Sequence, residues 1–155
     1  QLAAAHETLE AARDIMADMR QRNNVVVFSD HMNAYHSEME KLLIDGPKIM
    51  TKAHGMHLLS AQAGVLAYLS KRLTSEAPAD LNGNAEFRKL VSAVDLSIAA
   101  LQAALLTDNF DAVKDAMSKV KKPYSQLFLK LIILVKWDKQ PKGSKLYMQV
   151  SSVLH

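Results

Sequence analysis

Residues 28–42, FSDHMNAYHSEMEKL, decide the fold class. Phe28, Met32, Tyr35, Met39 and Leu42 recur at steps of four, three, four and three, which places all five on one face of an α-helix. The stretch also carries His31, just before Met32, and His36, between Met32 and Met39. The same residues therefore serve either as an ordinary packing seam or as part of a ligand set. The chain on both sides bears on that choice.

Upstream, Leu2, Ala5, Leu9, Ala12, Met16 and Met19 keep the same spacing through about Arg22. Asn23-Asn24 and the β-branched Val25-Val26-Val27 then interrupt it, because asparagine favours turns and valine loses side-chain freedom in a helix. The reading is a break there, with residues 1–24 as an N-terminal helical arm or as half of a longer helix. Downstream, Asp45-Gly46-Pro47 predicts a helix end, glycine taking the left-handed C′ position and proline opening the next helix.

A third helix is expected from Pro47 to about Leu73. Gly55, Leu58, Leu59, Gln62, Leu66, Leu69 and Leu73 form its main face, and Met50, His54, His57, Ala61 and Tyr68 a second stripe. A helix apolar on two sides is deeply buried or touches something further. Ser75 to Asn84, with Pro78 and Asn82-Gly83, reads as a loop. Phe87, Val91, Val94, Ile98, Leu101 and Leu105 follow in a strict seven-residue repeat. After a Thr107-Asp108-Asn109 cap and turn, Phe110, Val113, Met117, Val120, Tyr124 and Leu127 continue it, with Pro123 bending the last helix.

These seams and short links predict an all-α fold: an antiparallel four-helix bundle over residues 25–130, an additional N-terminal helix, and an irregular basic C-terminal tail over 131–155. The composition agrees. The chain has 155 residues, 49% of them hydrophobic, with five glycines and four prolines, enough for one core and long uninterrupted helices. The absence of cysteine excludes disulfides, thiolate metal sites and thiol nucleophiles. No apolar run is long enough to span a bilayer, and the first residues lack a signal-peptide pattern.

The net charge of +3 is unevenly spread. From Val113 onward nine lysines face only Asp115 and Asp138, a local +7 that leaves −4 for the first 112 residues. Such a tail suits an anionic surface or simple solvation. Aromatic residues do not interleave with the lysines, which argues against nucleic acid.

The segment NAEFRKLVSAVDLSIAALQAALLTDNFDAVKDAMSKVKKPYSQLFLK, residues 84–130, resembles the final hairpin of the four-helix cytochromes of the c-prime and soluble b types. The likeness lies in the EFR start, the seam helix, the TDNFDAV turn and the AM-x-x-V register before an aromatic pair. It implies the four-helix fold and, because such proteins are commonly exported, a periplasmic location. Those families ligate haem through a histidine on the last helix; Lys122-Pro123-Tyr124-Ser125-Gln126 offers serine instead. By the same resemblance Met32 stands where the soluble b type places an axial methionine.

Met32, His36 and Met39 are spaced i, i+4, i+7, and Met50, His54 and His57 repeat that spacing. About an Asp45-Gly46 turn, His36 and Met39 would share one level with Met50 and His54, an imidazole and thioether set suited to copper, especially Cu(I), or haem iron. Against this, thioethers are common gap fillers in helix seams, and half-exposed histidines commonly flank them. No Glu-x-x-His pair repeats on two helices, and no phosphate loop, nucleophile elbow or zincin motif occurs. The leading expectation is a noncatalytic bundle without a cofactor, acting through binding or self-association with its own copies or a helical partner. The alternative is a haem- or copper-binding electron carrier or sensor using Met32, His36, Met39, Met50, His54 and His57.

Overall fold

The computed structural model describes residues 2–134. Every regular element there is helical: α1 (Leu2–Met50), α2 (Gly55–Ser75), a single turn α3 (Ala79–Asn82), α4 (Ala85–Leu105), α5 (Phe110–Ser118) and α6 (Lys121–Leu134). The second half of α1, together with α2, α4 and the α5–α6 pair, encloses one interior. Phe28, Met32, Tyr35, Met39 and Leu42 from α1 are all buried in it, as are all six α4 seam residues from Phe87 to Leu105. Hydrophobic periodicity located these two stripes correctly.

Two predicted helix boundaries are absent, for separate physical reasons. The Asn-Asn-Val-Val-Val segment lies inside α1, so the N-terminal arm is the first half of a 49-residue helix and not an additional one. Each of those residues costs at most about 0.7 kcal/mol in a helix, less than the roughly 1.5–3 kcal/mol contributed by one fully buried core side chain such as Phe28. The apparent interruption is a change of face. Phe28 lies about two and a half turns beyond Met19, so the upstream stripe and the core seam occupy opposite sides of the same cylinder.

Asp45-Gly46-Pro47 likewise stays within α1. Gly46 is buried, and a Cβ there would lie 2.9 Å from Met117 Sδ and 3.8 Å from a Leu59 methyl. Its missing side chain lets α1 approach α5 and α2 closely, which is a packing role. A single proline near the helix end removes one backbone hydrogen bond without stopping the helix. The turn comes later, at Thr51–His54, where His54 adopts the left-handed conformation (φ 59°) that closes the bend into α2. Gly55 starts α2 against the last turn of α1, and a Cβ on it would collide with the Ile49 carbonyl oxygen.

The buried face of α2 consists of Gly55, Leu59, Ala63, Leu66, Ser70 and Leu73. Of the expected face, Gly55, Leu59, Leu66 and Leu73 are buried; Leu58, 49% exposed, and the partly exposed Gln62 and Leu69 give way to Ala63 and the fully buried Ser70. Asn84 caps α4 by accepting from the Phe87 amide at 2.9 Å, and Asn109 caps α5 by accepting from the Ala112 amide at 3.1 Å. Phe110, expected in the seam, starts α5 in an exposed position.

The fourth helix is divided at Lys119 and Val120, whose amides turn back to Ala116 and Met117 through three-residue bonds. Pro123 explains the division: it has no amide to give to the Lys119 carbonyl, and its ring would crowd that group in a continuous helix. Val120, Tyr124, Leu127, Phe128 and Leu131 nevertheless share the interior, so the seam survives the break. The tail expected to be irregular from residue 131 begins as helix, since α6 runs through Leu134; the remainder of the tail lies outside the described residues.

The two glycines of α2 give opposite expectations. Nothing lies within 4 Å of a Cβ built on Gly64. Gly64→Ala should raise stability by about 0.5–1 kcal/mol, and Gly55→Ala should lower it by about 3 kcal/mol or more, both measured by urea denaturation.

Candidate functional site

The sequence-predicted ligands do not converge. Met32 and Met39 are fully buried in the shared interior, and Met50 is buried in the last turn of α1. His54 and His57 are exposed at the α1–α2 bend. Because α1 continues to Met50, His36 and Met50 are about 21 Å apart along the helix axis at 1.5 Å per residue. The single level inferred from an Asp45-Gly46 turn is therefore replaced by opposite ends of a half-helix, and Met50, His54 and His57 do not share one helical face. Among the described residues no three histidine or carboxylate side chains lie close enough to hold a metal ion.

Around His36 the structure assembles a different group. The Tyr35 ring from α1 stacks on the Tyr124 ring from α6, with centroids 5.3 Å apart and planes 20° apart. Phe128 continues the stack at 6.1 Å, and His36 tilts against Tyr124 at 5.5 Å. Tyr124 Oη donates to the Met32 carbonyl at 3.3 Å, joining residues far apart in sequence across the α1–α6 seam. From the other helices, Ser70 Oγ donates to Asp95 Oδ1 at 3.2 Å. Tyr35, Ser70, Asp95 and Tyr124 thus form a polar layer with one member from each wall of the bundle.

Burial pushes the hydroxyls of both tyrosines well above the ordinary tyrosine range. The Asp95 carboxylate adds to the effect on Tyr35, and Tyr35 and Glu40 add to it on Tyr124. Both phenols are therefore neutral hydrogen-bonding groups at neutral pH and unsuited to act there as a base. Tyr35 Oη and His36 Nδ1 are shielded from solvent without a protein hydrogen-bond partner. His36 Nε2 faces Glu40 Oε1 at 3.9 Å on the partly exposed side, a loose helical pair.

Ser70, Asp95 and Tyr124 went unmarked as a group in the sequence, although one signal was present. Ser70 is the polar residue in a buried register otherwise occupied by glycine, alanine and leucine, at positions 55, 59, 63, 66 and 73. The chain matches no family model, no curated protein and no solved structure.

The hydroxyls of the two stacked tyrosines are unequal. Tyr124→Phe deletes a buried hydrogen bond and should cost about 0.5–1.5 kcal/mol. Tyr35→Phe removes an unpartnered buried hydroxyl and should be neutral or stabilising in the same denaturation measurement.

Proposed function

We propose that this chain is a noncatalytic helical-bundle protein that works by association, with the outer face of α2 as its contact surface. The observation that carries the reading is a row of apolar side chains in solvent: Leu58, Ala61, Val65 and Tyr68 are all exposed, Tyr68 by 58%. Their steps of three, four and three residues make a second heptad seam on a helix whose opposite face already fills the core. Exposed apolar surface arranged in this way is the usual mark of an interface.

The seam is suited to a second copy. Its order is symmetric about residue 63, so an antiparallel pairing of two α2 helices sets Leu58 of one copy against Tyr68 of the other, and Ala61 against Val65. A two-fold interface needs this kind of self-matching surface. Ala61 and Gly64 keep the middle of the face low, allowing two helices to approach closely. Above Tyr68, the Arg72 guanidinium carbon lies 5.5 Å from the ring centroid, and Arg72 also pairs with Glu76 at 3.1 Å, so the rim is polar.

No described helix is long and apolar enough to cross a membrane. A periplasmic location remains an implication of the cytochrome resemblance. The proposed contact of the lysine-rich tail with an anionic surface concerns residues mostly outside the described part of the chain.

Light scattering coupled to size-exclusion chromatography tests the association. The expected result is a mass that rises from one copy toward two with concentration and stays at one copy in the Val65→Lys variant. A mass of one copy at every concentration, or an unchanged dimer in Val65→Lys, contradicts the proposed surface.

A further inference from the structure

The outer seam of α2 extends past its apolar residues. One further step of four at each end adds His54 before Leu58 and Arg72 after Tyr68. His54 is the left-handed residue that opens α2; it is exposed, and its side chain does not cap the helix. His57, about one turn further on, is exposed on the flank of the seam. Among the described residues neither imidazole has a hydrogen bond or an ion pair.

The antiparallel α2 pairing proposed above decides what these imidazoles meet. The symmetry that sets Leu58 against Tyr68 of the other copy also sets His54 against Arg72, once at each end of the pair. Arg72 is held at that place by the Tyr68 ring, 5.5 Å from its guanidinium carbon, and by Glu76 at 3.1 Å. His57, Gly64 and Lys71 repeat every seven residues along one flank. A two-fold axis across the helices brings each flank onto its own equivalent, so His57 falls between the levels of Tyr68 and Lys71 of the other copy.

The surroundings of both imidazoles are cationic. Lys48 and Lys52 stand exposed beside the bend on the same copy, and Lys71 and Arg72 stand across the pair. Of the carboxylates in this region, Glu76 is already held by Arg72, Asp80 lies past the end of α2 in α3, and Asp45 lies more than a turn before the end of α1. A neutral imidazole meets no like charge here. A protonated one does, at four places in a pair of copies. The paired state therefore takes up protons less readily than the separate chains, so pairing is favoured where the imidazoles are neutral and weakens as pH falls and they gain charge.

We propose that His54 and His57 make the self-association of this chain pH-sensitive, the two copies pairing through α2 at neutral to alkaline pH and separating in mild acid. The inference rests on the α2 pairing and adds to it a control by protons.

Sedimentation equilibrium of the full chain at about pH 8 and about pH 5.5, on either side of the range in which imidazoles change charge, tests this. The dissociation constant of the dimer should be at least about tenfold larger at the lower pH. In the His54→Asn, His57→Gln double variant, whose asparagine tolerates the left-handed conformation, the constant should be the same at both. Far-UV circular dichroism should match at the two pH values, which separates a change of pairing from a loss of fold. A dimer that holds equally tightly at the lower pH, or a weakening that persists in the double variant, overturns the proposal and leaves the α2 surface standing. A chain that is monomeric even at the higher pH fails at the pairing itself and takes this inference with it.

Discussion

Four apolar stripes must be turned toward one another at the same time, and the rest of the structure follows from that constraint. Each stripe alone is a helix face that water disfavours; together they form one interior lined by Phe28, Tyr35, Leu59, Leu66, Phe87, Ile98, Tyr124 and Phe128. Closing it imposes local conditions on the backbone. α1 must pass near α5, which requires the bare Cα of Gly46, and α2 must start against the end of α1, which requires Gly55. The fourth helix must remain in register despite Pro123, which it does by taking a tight turn at Lys119–Val120 and resuming.

The legible parts of the fold are those where one face is apolar and its neighbours are not. In α4 the stripe from Phe87 to Leu105 repeats without ambiguity and is buried throughout. In α2 the adjacent leucines Leu58-Leu59 allow two phases, and at Leu69-Ser70 hydrophobicity favours the residue that is not on the buried face. Choosing leucine over serine rotated the predicted face, since Ser70 is the residue inside. Turn chemistry misled at Asp45-Gly46-Pro47, where glycine serves interhelical approach. That shift of the bend accounts for the ligand set as well. With the turn moved to Thr51–His54, His36 is separated from His54 and His57 by most of the bundle length, and the convergence of imidazole and thioether disappears.

The polar layer was not legible because it depends on all four helices. Tyr35 and Tyr124 each look like seam aromatics, Ser70 like a surface residue and Asp95 like any helical carboxylate; only tertiary packing brings the tyrosine stack and the Ser70–Asp95 bond to one level. A polar layer among mostly apolar core residues penalises alternative registers, because a slipped helix would leave the buried Ser70 hydroxyl without its Asp95 partner. The tyrosine stack and the Ser70–Asp95 bond tie the four walls of the bundle together, and the surface we propose for association lies outside them, along α2.

The phase of α2 separates the inward seam from the outward one, and two adjacent leucines measure it directly. Leu59 is fully buried and Leu58 is about half exposed. In urea denaturation of the isolated chain at a concentration where it is monomeric, Leu59→Ala should cost about 2–5 kcal/mol and Leu58→Ala no more than about 0.5 kcal/mol. Equal costs, or the larger cost at Leu58, would contradict the shared interior described here and with it the surface assigned to α2.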